Sequence, residues 1–374
     1  MVPAAHVGMA AGLESLSTAY DEANRMEGRP MARIVDVASH AGVSTATVSR
    51  VLNGKTVNPE LAARVRSSVD LLGYVPDRTA RSLRRRASDV VALVLPDVEN
   101  PFFTAVARGV EDVAHGAGYS VVLCNTDDDP AKEAHYLTVA EHENMAGVLI
   151  APATDSPALD ALQARGRGLV VVDRRIDDAV DQVAFDNEEL GYRVTNTLIR
   201  QGFRRIACVT GPRSTSTAVE RANGWRRALA EADLAAEEEL LVHANFRVDG
   251  GYAALSGLLA QSDPPEAVAA TNNLVGVGVL RALADAHGTP ARTAGRAEHT
   301  DKGPEASGPA IGIGIIGDLP FATSRTTDIH LVPLNPRELG MAAAHLLLER
   351  FADPGRPARS VVQAVPAPGS PLSR

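Results

Sequence analysis

The sequence predicts an all-α unit with helix-turn-helix geometry and a hinge helix, followed by a larger, two-lobed α/β unit of doubly wound parallel sheets. Apolar residues recur at helical spacing, with glycine stops, through residues 31–75. From Val90 onward, apolar runs typical of buried strands alternate with amphipathic helical segments. This second region has about 285 residues, too many for one hydrophobic core, and therefore predicts two lobes.

The composition is that of an ordinary globular chain, with 374 residues, 45% of them hydrophobic and 22% charged. No stretch approaches the ~20 apolar residues that span a bilayer, and the start lacks the pattern of an export signal. We therefore expect a cytoplasmic protein. Cys124 and Cys208 each lie inside an apolar run, which indicates buried free thiols. No ligand spacing indicates a metal site, and no cofactor is expected.

Charge is divided unevenly along the chain. Residues 31–86 contain ten basic and four acidic residues, whereas the chain as a whole carries a net charge of −9. A cationic unit on an acidic protein indicates a polyanionic partner such as DNA, although basic segments are often only solvated surface. Residues 1–30 show no sustained periodicity, and we expect them to be disordered or to precede the true start at Met31.

Three short helices are predicted within the basic unit. The first ends at Gly42, and Ser44 is a suitable N-cap for the second. The third begins at Asn58 and Pro59, an N-cap followed by proline at the first helical position, and ends at Gly73. Three helices with a tight turn between the first two have helix-turn-helix geometry.

The outer face of the second helix carries small or polar side chains, namely Thr45, Ala46, Ser49 and Arg50. Small residues allow the backbone to approach the major groove, where Arg50 can donate two hydrogen bonds to guanine or bind a phosphate. The alternative is a generic three-helix unit with an exposed polar face.

The segment that follows, GYVPDRTARSLRRR, predicts a short helix beginning near Pro76. It carries Leu83 among several arginines, including Arg78. An apolar wedge among arginines suits the minor groove, where it can open a base step and kink the duplex. A charged linker with one incidental leucine is the alternative.

The blocks VASHAGVSTATVSRVLNG and GYVPDRTARSL resemble the DNA-binding headpiece and hinge of the LacI/GalR (lactose-repressor) family, and the likeness extends over nearly all of residues 32–374. The resemblance implies that Thr45, Ala46 and Arg50 read bases. Phosphate contacts are implied for Thr47, Ser49, Asn53 and Tyr74. Leu83 would pair with its counterpart on a second subunit at the centre of a palindromic operator. The predicted DNA-binding residues are Ser44, Thr45, Ala46, Thr47, Ser49, Arg50, Asn53, Tyr74, Arg78 and Leu83.

Polar residues at predicted strand ends are the candidates for a small-molecule site. Asp173 closes LVVVD, Asn272 closes AVAATN, and Asp318 follows the run that ends at Gly317. Ligands of parallel sheets bind beyond these carboxyl ends. Carboxylates and amides, with an arginine such as Arg221, suit the hydroxyl groups of a sugar-like polyol. An Asp at a strand end is, however, often only a helix cap.

Phenylalanines could supply a flat apolar wall for a ring, although a Phe pair opening a helix is often core. The resemblance implies a periplasmic-binding-protein-like effector domain. The predicted effector-binding residues are Phe102, Phe103, Asp173, Arg221, Phe246, Asn272 and Asp318. Gly317 and Asn273 stand where the family often has acidic residues, which favours a less hydroxyl-rich or differently charged ligand.

The predicted domains are residues 1–30 before the first domain, 31–75 for DNA binding, 76–88 for the hinge helix and linker, and 89–374 for effector binding and dimerisation. The N-lobe is expected over about 89–185 and 330–355, and the C-lobe over about 186–329 and 356–374. The apolar stripe of the helix near 335–351 could pack in its lobe or against another subunit. No heptad tail follows, so a homodimer is expected rather than a tetramer.

The sequence therefore predicts a ligand-responsive transcription factor, most simply a repressor, that binds a pseudo-palindromic operator. Whether the effector, expected to be a carbohydrate or a derivative, induces or co-represses stays open. An enzyme would need a catalytic motif such as GxSxG, HExxH or a P-loop, none of which occurs. A transporter's solute-binding protein would not need the basic unit.

Overall fold

The computed structural model describes residues 32–52, 55–74, 88–154, 157–176, 179–288, 311–319 and 329–365. The chain divides into two compact units, with the division after Arg84. Each unit is built around its own hydrophobic core. The predicted hinge helix, with Arg78 and Leu83, lies outside the described residues, as does Asn53.

The small unit contains α1 (Ile34–Ala41), α2 (Thr45–Leu52) and α3 (Pro59–Leu72). Helices α1 and α3 end at Gly42 and Gly73, both in the left-handed backbone conformation. This conformation directs backbone N–H groups toward the carbonyl groups of the last helical turn, which have no partner within the helix. Asn58 Oδ1 caps α3 by accepting from the backbone N–H of Glu60 at 2.8 Å. Apolar side chains from all three helices form the core of this unit.

The large unit contains two parallel sheets. The N-lobe sheet has the order β11-β5-β4-β3-β1-β2, and the C-lobe sheet has the order β10-β9-β8-β6-β7. The strands are β1 (Val90–Leu95), β2 (Ser120–Asn125), β3 (Gly147–Ile150), β4 (Gly168–Val172), β5 (Asp181–Phe185), β6 (Ile206–Thr210), β7 (Leu241–His243), β8 (Ala267–Ala270), β9 (Gly312–Ile316), β10 (Ile329–Val332) and β11 (Ser360–Gln363).

Helices connect the strands and pack on both sheets, as a doubly wound fold requires. They are α4 (Pro101–Gly116), α5 (Pro130–His142), α6 (Asp160–Ala164), α7 (Asn187–Arg200), α8 (Ser216–Glu231), α9 (Val248–Leu259), α10 (Asn273–Gly288) and α11 (Pro336–Ala352), with a 3-10 turn at Glu238–Leu240. Helices α4 and α11 pack together on the N-lobe sheet, and α7 packs with α8 on the C-lobe.

The expected lobe boundaries near the C-terminus are wrong. Strand β10 pairs with β9 in the C-lobe, so the chain re-enters the N-lobe only after Val332. Strand β11, expected in the C-lobe, pairs with β5 in the N-lobe, with Val361 opposite Val183. An apolar run shows that a strand is present, but its periodicity does not specify which sheet edge it joins.

A buried ionic cluster explains why β11 stays on the N-lobe. The carboxylate of Asp181, fully buried at the start of β5, forms ion pairs with Arg350 at 3.0 Å and Arg356 at 2.7 Å. It also accepts the backbone N–H of Arg359. These contacts fix the loop between α11 and β11, and this pairing between distant residues left no periodic pattern in the sequence.

The structure also decides between two roles for the apolar stripe of α11. Leu339, Ala343, Leu346 and Leu347 are all buried within the N-lobe. The stripe therefore packs in its own lobe. Cys124 and Cys208 are free and buried, and burial raises the pKa of the Cys208 thiol to about 12.

Candidate functional site

A cavity of about 220 Å³ lies between the two lobes, where the carboxyl ends of their strands face each other. Residues that follow β1, β2 and β4 line its N-lobe side, and residues that follow β6 to β9 line its C-lobe side. All seven residues predicted to contact an effector line this one cavity: Phe102, Phe103, Asp173, Arg221, Phe246, Asn272 and Asp318.

Asp173 directly follows β4 and is only 6% exposed. Its Oδ1 atom is buried and has no hydrogen-bond partner within the described part of the chain. Burial raises the pKa of Asp173, and the positive charge of Arg221 opposes this shift. A buried acceptor without a donor is costly, so this oxygen is poised to accept from a ligand.

Arg221 lies on α8 in the opposite lobe and is 4% exposed. Its Nε donates to Asn187 Oδ1 at 3.0 Å, and its Nη1 donates to the carbonyl of Thr271 at 2.6 Å. Helix α8 can approach α7 closely because Gly191 has no Cβ atom. A Cβ atom there would lie 2.0 Å from the carbonyl oxygen of Arg221. The guanidinium is therefore held rigidly at the cavity wall.

Aromatic rings from both lobes reach the cavity. Phe102 and Phe103 open α4, with their rings in an edge-to-face contact at 5.0 Å. Phe103 also belongs to the core, as the alternative interpretation of this pair expected, and contact of either ring with an effector stays a prediction. From the C-lobe, the Phe246 ring packs where a Cβ at Gly211 would approach within 2.1 Å of Cε2.

Asn272 supports the site as well as lining it. Its Oδ1 accepts from the backbone N–H of Val275 at 2.7 Å, and its Nδ2 donates to the Phe246 carbonyl at 2.9 Å. The helix-cap alternative is thus present here, and Asn272 also fixes the backbone that carries Phe246. Asp318 is half-buried, and burial raises the pKa of its carboxyl group.

Three cavity residues other than glycine adopt positive φ: Asp128 at 59°, Asp173 at 68° and Phe246 at 59°. Such backbone conformations are costly for most L-residues and cluster at functional sites. The cavity is therefore built from segments held in unusual conformations by the surrounding fold.

Sequence reasoning missed several polar residues of the wall: Asp97, Asn100, Asp128, Arg174, Thr217, Asn245 and Arg247. Buried Arg174 donates to Asp128 Oδ1 at 2.6 Å and to the Pro152 carbonyl at 2.7 Å. Each missed residue lies within a few positions of a strand's carboxyl end or at the start of the next helix. A systematic inspection of every strand end would have found them.

In the small unit, α2 presents the predicted DNA-contacting face. Ser44, Thr45, Ala46 and Arg50 are exposed, whereas Thr47 and Ser49 are half-buried. Ser44 Oγ accepts from the backbone N–H of Thr47 at 3.2 Å, as its predicted capping role requires. Tyr74 is half-buried and packs against the core of this unit.

Within the described ranges, no group of three or more His, Cys, Asp or Glu side chains is arranged to hold a metal ion. None of the helices described here is both long and apolar enough to cross a membrane.

Comparison with known proteins assigns both units. Residues 33–77 match the family of bacterial regulatory proteins, lacI family. Residues 88–296 match periplasmic binding proteins and the sugar binding domain of the LacI family. The ribose operon repressor of Halalkalibacterium halodurans is 35% identical over 253 residues, which cover 67% of this chain and 75% of that protein.

Two solved structures extend the comparison. The transcriptional regulator CelR in complex with cellobiose is 27% identical, with a TM-score of 0.62, and the match covers 88% of this chain and 96% of that one. The Lac repressor dimer bound to operator and the anti-inducer ONPF shares the fold at 19% identity, with a TM-score of 0.73 over 89% of this chain and 96% of that one.

The protein is thus a DNA-binding transcriptional regulator with a ligand-binding domain, and not an enzyme. It belongs to the LacI family. The predicted fold class and the resemblance noted in the sequence are confirmed.

Proposed function

We propose that the chain acts as a homodimeric repressor whose binding to a pseudo-palindromic operator is controlled by a small, neutral, sugar-like effector. The observation that carries this proposal is the pair of buried, opposite charges that face the cavity from different lobes. Asp173 and Arg221 each line the cavity, yet the two side chains do not form an ion pair with each other.

Hydroxyl groups suit both side chains, because a hydroxyl can donate to the unpartnered oxygen of Asp173 and a hydroxyl can also accept from a guanidinium such as that of Arg221. A ligand with a negative charge would face the buried carboxylate, and a cationic ligand would face the guanidinium, so a neutral polyol is favoured. The rings of Phe102 and Phe246 supply flat apolar surface for the carbon skeleton of such a ligand.

The size of the cavity favours a small ligand. A volume of about 220 Å³ lies below the roughly 300–1,000 Å³ of pockets that take drug-sized ligands. The names of two relatives agree with a carbohydrate, since one is a ribose operon repressor and the other was solved with cellobiose.

For the DNA-binding function, we assign base contacts to the exposed Thr45, Ala46 and Arg50 of α2. We assign phosphate contacts to Thr47, Ser49 and Tyr74. The unit that carries them has more basic than acidic residues, which favours binding to the phosphate backbone. We retain residues 31–75 as the DNA-binding domain, 76–88 as the hinge helix and linker, and 89–374 as the effector-binding and dimerisation domain.

An exposed apolar strand supports dimerisation. Strand β2 lies at the edge of the N-lobe sheet, and its Val122 and Leu123 are 41% and 47% exposed. Exposed apolar edges are usually covered in soluble proteins, and a second copy of the chain would cover this one. The Lac repressor of similar fold was solved as a dimer on its operator.

Effector binding would close the lobes on each other and alter the spacing of two DNA-binding units in the dimer. The coupling is reciprocal, so operator DNA changes the affinity for effector by the same factor as effector changes the affinity for DNA.

The experiment is a thermal-shift screen of neutral pentoses, hexoses and deoxy sugars, each paired with its phosphate ester. We expect a neutral sugar to raise the melting temperature with increasing concentration and to change a gel shift on DNA flanking the gene. Arg221→Ala should abolish both responses. Arg226→Ala, on the same helix but in a surface ion pair with Glu238, is the matched control and should keep them. Stabilisation by the phosphate esters alone, or a full response of Arg221→Ala, would contradict the proposal.

A further inference from the structure

The two lobes contact each other directly across the cavity. Asn273, the first residue of α10 in the C-lobe, donates from Nδ2 to Oδ1 of Asn100 at a distance of 3.0 Å. Asn100 is the N-cap of α4 in the N-lobe, and both side chains are buried. We propose that Asn273 is a positioning residue that stabilises the closed arrangement of the two lobes by donating this hydrogen bond, and so shifts the opening equilibrium on which an effector acts.

The structure fixes which atom of Asn100 faces Asn273. Asn100 Oδ1 also accepts from the backbone N–H of Phe102 at 3.0 Å, which caps α4. If the Asn100 amide were flipped, its NH₂ group would face the Phe102 N–H, and two donors would oppose each other. The oxygen therefore has to remain in place, and any partner that reaches it from the other lobe must be a donor.

Residue 273 meets this requirement because it is an asparagine. An ionised aspartate has nearly the same shape but only accepts hydrogen bonds. With aspartate at this position, two oxygens would face each other at about the same 3.0 Å distance, buried from water. A single change of NH₂ to O would thus turn a contact that joins the lobes into one that separates them.

Three further contacts, made by Arg175 and Arg247, join the lobes at the rim of the cavity. The backbone N–H of Arg175 donates to Ser216 Oγ at 2.8 Å. Arg247 lies 3.5 Å from Asp97 and 4.0 Å from Asp127, both in the N-lobe. The ion pair between Arg247 and Asp97 is partly exposed, and such pairs contribute little to stability because water screens the attraction between the charges. The buried amide pair is not screened in this way, so we assign the larger effect to Asn273.

Holding the cleft closed has a consequence for effector binding. When only the closed form is competent, the apparent dissociation constant rises as the closed fraction falls. Loss of one net hydrogen bond lowers the closed-to-open ratio by about 5-fold. Asn273 therefore sets the opening equilibrium on which any effector acts, whatever the identity of that effector.

The test measures opening without a ligand, so it does not depend on the proposed effector. Small-angle X-ray scattering gives the radius of gyration of the full-length, ligand-free protein. We compare Asn273→Asp, which removes the donor, with Asn100→Asp, which keeps the acceptor and the helix cap. Both substitutions add one negative charge to the cavity, so each controls for the charge of the other. Asn273→Ala removes the donor without adding charge.

We expect the radius of gyration to increase for Asn273→Asp and Asn273→Ala but not for Asn100→Asp, with wild-type circular dichroism in all three. If Asn273→Asp does not fold, Asn273→Ala carries the comparison. An unchanged radius for Asn273→Ala, or an equal increase for Asn100→Asp, would overturn the proposal, because charge rather than the lost donor would then account for the opening.

Discussion

Gly211 makes room for the aromatic wall of the cavity, and replacing it with alanine tests that packing. The new Cβ would lie 2.1 Å from Cε2 of the Phe246 ring. Carbon atoms pack comfortably at about 3.5 Å, so the ring has to move by ~1.4 Å. Its backbone is restrained, because Asn272 holds the Phe246 carbonyl and φ at this residue is already positive. Because Phe246 lines the cavity, we expect its ring to turn toward the space that the effector would occupy.

Overpacking of this kind costs about 1–3 kcal/mol. If that cost falls on the bound state, effector affinity drops roughly 5- to 150-fold. Isothermal titration calorimetry with the sugar found in the thermal-shift screen measures the affinity. Phe246→Leu in the Gly211→Ala background should restore part of it by shortening the side chain.

Gly257→Ala is the matched control. Gly257 lies in α9, and a Cβ atom there would meet no other atom within 4 Å. Alanine at this helical position should stabilise the fold by about 0.5–1 kcal/mol and leave effector affinity unchanged. The reasoning is refuted if Gly211→Ala binds the sugar as tightly as the wild type does.

Three further outcomes are expected. Burial raises the pKa of Asp173, so the native chain loses stability as the pH rises through that raised pKa. In urea titrations at pH 8, Asp173→Asn should have a larger free energy of unfolding than the wild type, and the two values should converge as the pH falls toward the ordinary aspartate pKa. The variant should also no longer respond to effector. A difference in unfolding free energy that stays constant across this pH range would count against the assignment. Asp181→Asn leaves Arg350 and Arg356 without their buried partner and should cost about 3–5 kcal/mol of unfolding free energy, whereas Asp233→Asn on the surface should be neutral. Cys208, whose pKa is raised to about 12, should not react with Ellman's reagent at pH 8 until the protein is unfolded, and rapid labelling of the native protein would disprove its burial.

The buried charged groups of the cavity lower the stability of the fold, but they provide polar groups that a ligand can contact. A carboxylate and a guanidinium are both kept away from water, and neither neutralises the other through a direct ion pair. The fold tolerates this cost because α7, α8 and the backbone near Thr271 hold Arg221 through other partners. A ligand that satisfies both groups recovers the cost, which is a physical reason to expect coupling between effector binding and lobe closure.

The sequence by itself determined the features that depend on local patterns. Helical spacing and glycine stops defined α1 to α3, and alternating apolar runs defined the two parallel sheets. The rule that ligands bind beyond strand ends was enough to bring Asp173, Asn272 and Asp318 to one cavity. These inferences succeeded because periodicity and strand polarity are properties of neighbouring residues.

Only the tertiary structure decided which distant groups meet. It placed β10 and β11 on opposite lobes from those expected, and it showed Asn272 acting as a helix cap and backbone support. It also revealed the lone oxygen of Asp173 and the contact between Asn100 and Asn273, which are 173 positions apart in the chain. Such pairings depend on how whole lobes pack, and no local pattern in the sequence carries that information.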